Sequence, residues 1–286
     1  MRVVGPSLLA FVLATSAGAQ PLPVRGVTSP VTPTFFSAPD VGQASKARLP
    51  PIDVEAEIWR LRAALSREVP GLASDIAEHE AEWIRRAQAA LTAAGQAIDH
   101  PQLLVVVDRN AQVQELCIIA ARPDGPWQAV GGMKISTGQA GRFDHYFTPV
   151  GVFLHTDAVL DYRAEGTFNK NHIRGLGLKG MRVWDFGWQQ AVKTWRSDRA
   201  QGDIRLLMHA TDPDRLERRL GHSASKGCVR ISAAMNRFLD RHGVLDADYE
   251  RAAEQDGRFR ALLPADREPT ALAGRALVVV DSSGAP

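Results

Sequence analysis

A histidine and a cysteine occur at a spacing that suits acyl-transfer chemistry. The strand-like run of residues 204–209 ends at His209, and a loop of residues 210–224 leads to the segment Ser225-Lys226-Gly227-Cys228-Val229-Arg230. The thiolate is the nucleophilic form of cysteine, and a nearby imidazole can deprotonate the thiol or hold it as an ion pair. Gly227 permits a tight turn before the nucleophile, which would aim main-chain amides at a developing oxyanion. The pattern therefore indicates cysteine-dependent acyl transfer.

This segment resembles the catalytic signature of the L,D-transpeptidases, in which a histidine is followed, after a loop, by Ser or Thr and then His-Gly-Cys. Lys226 stands in place of the second histidine. The resemblance extends upstream to the family's strand and cleft segment, which is matched here by Ser136-Thr137-Gly138 and then Thr148-Pro149-Val150-Gly151-Val152-Phe153. Two separate matches in the right order favour this family, and the resemblance covers about residues 102–231.

Carried over residue by residue, the resemblance implies that Cys228 is the nucleophile and His209 the general base. It further implies that the main-chain amides of Gly227 and Cys228 form the oxyanion hole, with Ser225 and Lys226 in the same substrate-binding turn. If the family's histidine at position 226 contributes chiefly its backbone amide, lysine keeps that function. Its ammonium then lowers the Cys228 pKa or binds a substrate carboxylate. If the imidazole itself is required, the activity is altered.

Arg230 has two open interpretations, since it either binds a substrate carboxylate bidentately or holds the loop through backbone hydrogen bonds. The order of histidine before cysteine argues against a papain-like enzyme, and the chain lacks the Thr-Leu-x-Thr-Cys strand of the sortases.

The resemblance implies a reaction on the stem peptides of peptidoglycan, which would be both donor and acceptor. The cysteine would attack the bond after the third-position residue of a tetrapeptide, expel D-alanine and form a thioester. An acceptor amine would then give a crosslink of the 3-3 or the 1-3 type, whereas water would make the protein an L,D-carboxypeptidase. A non-catalytic peptidoglycan-binding envelope protein is the remaining alternative.

The composition favours a globular protein and gives no electrostatic case for nucleic acid. The 286 residues are 45% hydrophobic and 23% charged, and 34 basic against 32 acidic residues leave a net charge of +2. We therefore expect no nucleic-acid partner. His145, His155 and His172 lack the close spacing of a zinc site, so we expect no metal, and we expect no cofactor.

The first residues are typical of an exported protein. Residues 1–19 combine Arg2, an apolar stretch and a small-residue cleavage pattern, which predicts a signal peptide. The apolar stretch is too short to span a bilayer. Residues 20–51 are rich in proline and predict a linker. We expect a periplasmic monomer with no membrane span after signal cleavage. Of its two cysteines, Cys117 lies in an apolar run and Cys228 among glycine and basic residues, so we expect different roles for them.

The hydrophobic pattern predicts an α+β fold in which antiparallel strands dominate. Apolar residues at helical spacing predict a helical hairpin over residues 52–100. Residues 101–286 are expected to form the L,D-transpeptidase catalytic domain with flanking C-terminal helices. The expected strands are 103–107, 113–120, 127–136, 150–155, 181–186, 204–209 and 275–280. Two later helices are expected, one that is capped by Ser232 and ends at residue 241, and one over residues 248–263. The glycine-bearing, basic segment 157–180 is interpreted as a loop that covers the cleft or as a surface insertion.

Overall fold

Residues 52–284 are described by a computed structural model and fold as one unit. The predicted signal peptide over residues 1–19 and the predicted linker over residues 20–51 lie outside the described residues. The elements, in chain order, are α1 (Val54–Glu68), α2 (Glu80–Ala93), β1 (Gln102–Asp108), β2 (Glu115–Ala121), β3 (Gln128–Lys134), β4 (Gly151–Leu154), β5 (Tyr162–Arg163), β6 (Arg182–Val192), β7 (Gln201–Ala210), β8 (Val229–Ile231), α3 (Ala233–Arg241), α4 (Ala247–Ala253), α5 (Gly257–Leu262) and β9 (Ala276–Val280).

The strands form two sheets in which antiparallel pairs dominate, as the α+β prediction requires. Sheet A has the order β3-β2-β1-β9-β4, and sheet B has the order β5-β6-β7-β8. Two pairs are parallel: β1 with β9, and β7 with β8. The parallel pair in sheet B matters for the site, because it sets His209 and the segment after Cys228 on neighbouring strands.

The central strands β2, β1 and β9 of sheet A are buried on both faces, which explains why they are nearly continuous apolar runs. Alternate residues of β1 belong to two different cores: Leu103 and Val105 to the first, Leu104 and Val106 to the second. The first core also contains residues of sheet B, among them Met208 of β7. The opposite face of β7 is therefore turned away from this core, and it carries the candidate site.

The two N-terminal helices are present, but they do not form the predicted hairpin. Buried residues of α1, including Leu61, belong to the first core, whereas Trp83 of α2 belongs to the second. The connection between them runs along the edge of sheet A, where Ala73 N donates to Gly132 O at 2.9 Å. The helices thus cover opposite faces of one sheet. Helical spacing reveals which side of a helix is buried, but not which surface covers it.

The remaining differences concern short elements. Two short strands, β5 and β8, were not predicted, and β6 continues beyond the predicted end at residue 186 through a bulge between Asp185 and Trp188. The helix predicted over residues 248–263 is divided into α4 and α5, because Asp256 caps a new helix by accepting from Arg258 N. Within residues 52–284, no helix is long and apolar enough to cross a membrane.

Candidate active site

His209 and Cys228 share the face of sheet B that points away from the first core. In the parallel pair β7–β8, Met208 pairs with Val229 and His209 with Arg230. Val229 and Met208 are core residues, so the flanking Cys228 and His209 project from the other face. Cys228 lies two residues before Arg230, which is the partner of His209. With a strand spacing of about 4.8 Å and a rise of about 3.3 Å per residue, the α-carbons of Cys228 and His209 are about 8 Å apart. The register thus makes these two side chains neighbours across the strands.

The turn before Cys228 is held by the hydroxyl of Ser225, which is fully buried. This hydroxyl donates to the carbonyl of Cys228 at 2.6 Å and accepts from the amide of Gly227 at 3.0 Å. Gly227 has φ +134°, and a Cβ there would lie 3.0 Å from the side chain of Ile204. The backbone conformation thus favours glycine, and the contact with Ile204 leaves little room for a side chain.

The amides of this turn differ from the expected oxyanion hole in one position. The sequence predicts that the Gly227 and Cys228 amides face the oxyanion together. In the structure, the Gly227 N–H instead donates a hydrogen bond to Ser225 Oγ. Among residues 52–284, the main-chain amides of Lys226 and Cys228 make no hydrogen bond. These two N–H groups are therefore the ones free to bind a developing negative charge.

The two motif segments that resemble one family in sequence meet in space. Ser136 and Arg230 exchange a pair of main-chain hydrogen bonds of 2.9 and 2.8 Å. The buried hydroxyl of Thr148 accepts from Gly138 N at 3.0 Å and donates to Gly227 O at 2.8 Å. Both upstream matches thus brace the turn that carries the cysteine.

The His209 ring is held in one tautomer. Its Nδ1 lies 2.7 Å from the carbonyl oxygen of Ala210, which can only accept, so Nδ1 carries the proton and Nε2 has the free lone pair. The pKa of His209 is lowered to about 4, chiefly because the ring is buried; the Ala210 hydrogen bond opposes this shift and the Arg230 cation adds to it. His209 is therefore a neutral imidazole at neutral pH, with Nε2 available as a base.

The Cys228 thiol is also neutral at rest. Burial raises its pKa above the ordinary value, and the carboxylate of Asp185 raises it further, while the Leu207 amide and the Arg230 cation act in the opposite direction. Its Sγ lies 3.9 Å from the carbonyl oxygen of Arg205, and no hydrogen bond joins it to His209 within the described chain. The site is a neutral thiol beside a neutral imidazole rather than a preformed ion pair.

Lys226 and Arg230, the two predicted cations, have different surroundings. The Lys226 ammonium lies 2.5 Å from Asp144 Oδ2 on the exposed surface, so it is not the cation that lowers the Cys228 pKa. Arg230 has that effect, and its Nη1 donates to the carbonyl of Ala224 at 3.1 Å, which fixes the loop. Its buried Nε has no partner within the described chain.

Three residues at the site were missed by the sequence reasoning: Tyr162, Asp185 and Arg205. Asp185 pairs with Leu207 across β6 and β7, and Arg205 pairs with Trp188 beyond the bulge. Tyr162 pairs with Val183, which in turn faces His209. A signal was available for Arg205, because alternation along β7 places it on the His209 side, opposite the buried Leu206.

A buried ion cluster holds the strands behind these residues. Asp161 accepts from His155 Nε2 at 2.9 Å and from Arg182 Nε at 2.7 Å, and its other oxygen accepts from the amide of Asp185 at 2.9 Å. Burial alone would lower the pKa of His155, but the Asp161 carboxylate keeps it above the ordinary value. The cluster thus fixes β5 against β6, and with them the positions of Tyr162 and Asp185.

The segment 157–180 lies directly against the end of β7. Gly177 has φ +90°, and a Cβ there would lie 2.7 Å from the side chain of Ala210, the residue after His209. Arg174 N donates to Asp212 Oδ2 at 2.8 Å, which ties the segment to the chain beyond the histidine. Tyr162 and this segment line a cavity of about 490 Å³. The segment therefore packs against the chain that follows His209.

The two cysteines have different environments and are not joined. Both are free thiols; Cys117 is buried in β2, and Cys228 is partly exposed. Burial raises the pKa of Cys117 far above its ordinary value, which removes its reactivity. No group of three or more His, Cys, Asp or Glu side chains within residues 52–284 is arranged to hold a metal ion.

Comparison with protein-family models and with curated proteins gives no match to this chain. A buried base, a thiol and two unpaired amides on one sheet face are the components that acyl transfer through a thioester requires.

Proposed function

We propose that this protein is a peptidoglycan L,D-transpeptidase and that its α+β arrangement is the catalytic fold of that family. The observation that carries the proposal is the placement of Cys228 and His209 on one face of sheet B, beside the unpaired amides of Lys226 and Cys228. The chemistry of these groups supports acyl transfer. The resemblance of the flanking motifs supports the stem peptide as substrate.

In the first half-reaction, Cys228 Sγ attacks the carbonyl carbon of the third-position residue of a donor tetrapeptide. The thiol proton passes to Nε2 of His209, whose tautomer leaves that nitrogen unprotonated. The amides of Lys226 and Cys228 stabilise the tetrahedral oxyanion. The C–N bond then breaks, His209 returns the proton to the leaving amine, and D-alanine departs. A thioester on Cys228 remains.

In the second half-reaction, an acceptor amine attacks the thioester carbonyl. His209 takes a proton from the amine and gives it to the departing sulfur, so the free thiol is restored. The product is a 3-3 crosslink when the acceptor is the side-chain amine of a third-position residue, and a 1-3 crosslink when it is the amine of first-position L-alanine. With water as acceptor, the same steps give a carboxypeptidase. The predicted signal peptide would bring the enzyme to the periplasm, where these substrates lie.

The experiment that tests the proposal is mass spectrometry of tetrapeptide muropeptides after incubation with the purified protein. The proposal predicts release of D-alanine together with crosslinked dimers, whose fragment ions distinguish the two linkage types. Cys228→Ala should form neither product, and Cys117→Ser is the matched control that should form both. Hydrolysed tripeptide without dimers would identify a carboxypeptidase. Binding of muropeptides without any D-alanine release would identify a non-catalytic binding protein.

A further inference from the structure

Arg205 extends a guanidinium from the site face of β7, beside the nucleophile. We propose that Arg205, together with Tyr162, binds the terminal carboxylate of the donor peptide, which selects donors that end in a free D-amino acid. This inference rests on the proposed function. It concerns donor selection, which the catalytic pair Cys228 and His209 does not determine.

The Arg205 side chain is positioned by a buried carboxylate. Its Nε donates to Asp185 Oδ2 at 2.7 Å, and Asp185 is 2% exposed. The other Asp185 oxygen accepts from Gly187 N at 2.9 Å, inside the bulge of β6. Bulges of this kind redirect side chains next to functional sites. Asp185 thus contacts the guanidinium of Arg205 at Nε, and the Nη atoms remain available to bind a ligand.

The free donors around Cys228 suit a carboxylate. Within residues 52–284, neither the Nη atoms of Arg205 nor the hydroxyl of Tyr162 has a hydrogen-bond partner. The guanidinium carbon of Arg205 lies 6.0 Å from the ring centre of Trp188, whose side chain is 66% exposed and flanks the other side. A planar fork of N–H groups with a neighbouring hydroxyl is a geometry that binds carboxylates bidentately.

The distance to the nucleophile fits the end of the donor. The carbonyl oxygen of Arg205 lies 3.9 Å from Cys228 Sγ, so the side chain starts next to the reacting sulfur. In the leaving D-amino acid, a single carbon separates the scissile nitrogen from the carboxylate. The Arg230 cation and the Asp185 carboxylate both act on the thiol, and Arg205 is paired with that carboxylate. A terminal carboxylate placed at Arg205 would therefore hold the scissile bond over the sulfur.

The test compares two donors, a tetrapeptide with a free terminal carboxylate and the same peptide as its C-terminal amide. Loss of one charge-assisted contact should lower kcat/KM for the acid by roughly 10- to 100-fold in Arg205→Gln, mainly through KM, with little change for the amide. Glutamine can still donate to Asp185, which protects the fold. Tyr162→Phe should show a smaller loss in the same direction, and Arg205→Lys should recover part of the preference.

Arg196→Ala is the matched control, because Arg196 is an exposed arginine that forms an ion pair with Asp198, as Arg205 does with Asp185. It should leave the ratio of the two donors unchanged. Equal losses on the acid and the amide in Arg205→Gln, or equal efficiency of the wild-type protein on both donors, would overturn the inference while the proposed function stands. Failure of the wild-type protein to cleave either donor would instead overturn the proposed function.

Discussion

Acid should destabilise the fold through His209, and the size of the effect follows from burial of the ring. Its pKa falls from an ordinary value of 6.5 to about 4 in the folded protein. Between these values the unfolded chain binds a proton that the folded chain does not, so the free energy of unfolding decreases as the pH falls. This loss of stability is absent well above pH 6.5, the ordinary pKa, and is complete well below about pH 4, the pKa in the folded protein. A shift of this size corresponds to about 3 kcal/mol in full and about 2 kcal/mol at roughly pH 5.

The assay is urea unfolding of the wild-type protein and of His209→Gln at pH 8 and pH 5. The wild-type protein should lose about 2 kcal/mol more than the variant over this interval, because the variant lacks the buried His209 imidazole. His222→Gln serves as the control, since that side chain is exposed, and it should behave as the wild type. Equal losses in the wild type and in His209→Gln would show that His209 is not held as a buried neutral base.

Four further changes probe the site and the core. Ser225→Ala removes both hydrogen bonds of the cysteine turn and should cost about 2–4 kcal/mol in urea unfolding, with slower acylation of Cys228 by a carbapenem. Lys226→Ala breaks an exposed ion pair and should change stability by less than about 1 kcal/mol, with acylation and the pH dependence of thiol alkylation retained. Cys117→Ser places a hydroxyl in an apolar core and should lower the free energy of unfolding by about 1–3 kcal/mol. The intact protein should still gain the mass of one carbapenem. Shortening the segment 165–177 should alter the ratio of crosslinked to hydrolysed product and leave acylation largely intact.

Each of these changes has a clear contrary result. Wild-type stability and acylation in Ser225→Ala would show that the hydroxyl does not organise the turn. Complete loss of acylation in a folded Lys226→Ala would make the lysine catalytic in its own right. A carbapenem adduct on Cys117 would mean that the buried thiol is reactive, and an unchanged product profile after loop shortening would remove that segment from acceptor choice.

Much of the fold is predictable because the apolar patterns are long. The central strands of sheet A are uninterrupted apolar runs with both faces buried, and Ser232 caps α3 by accepting from Met235 N at the predicted position. The relation between α1 and α2 is not predictable in the same way, since it depends on the path of the connection around the edge of sheet A. Strands as short as β5 and β8 carry too few residues for a period to be recognised.

The candidate site is likewise only partly predictable from the sequence. His209 and Cys228 are found from motif spacing, because their chemistry is local to one strand, one loop and one turn. Alternation along β7 indicates the side on which Arg205 lies, but the contacts of Tyr162, Asp185 and Arg205 come from strand register and from a bulge, which no local pattern encodes. The pairing of Lys226 with Asp144 likewise depends on a loop distant in sequence. The sequence therefore indicates the proposed reacting groups but not the residues that surround them.

The most direct test of the central claim is the mass of the acyl-enzyme. The purified protein is mixed with a donor tetrapeptide, quenched in acid and mapped by peptide mass spectrometry. The account predicts an adduct equal to the donor minus D-alanine on the peptide that contains Cys228. This adduct should be absent in Cys228→Ala and present in Cys117→Ser. Undiminished release of D-alanine by Cys228→Ala, with no adduct on the wild-type protein, would contradict it.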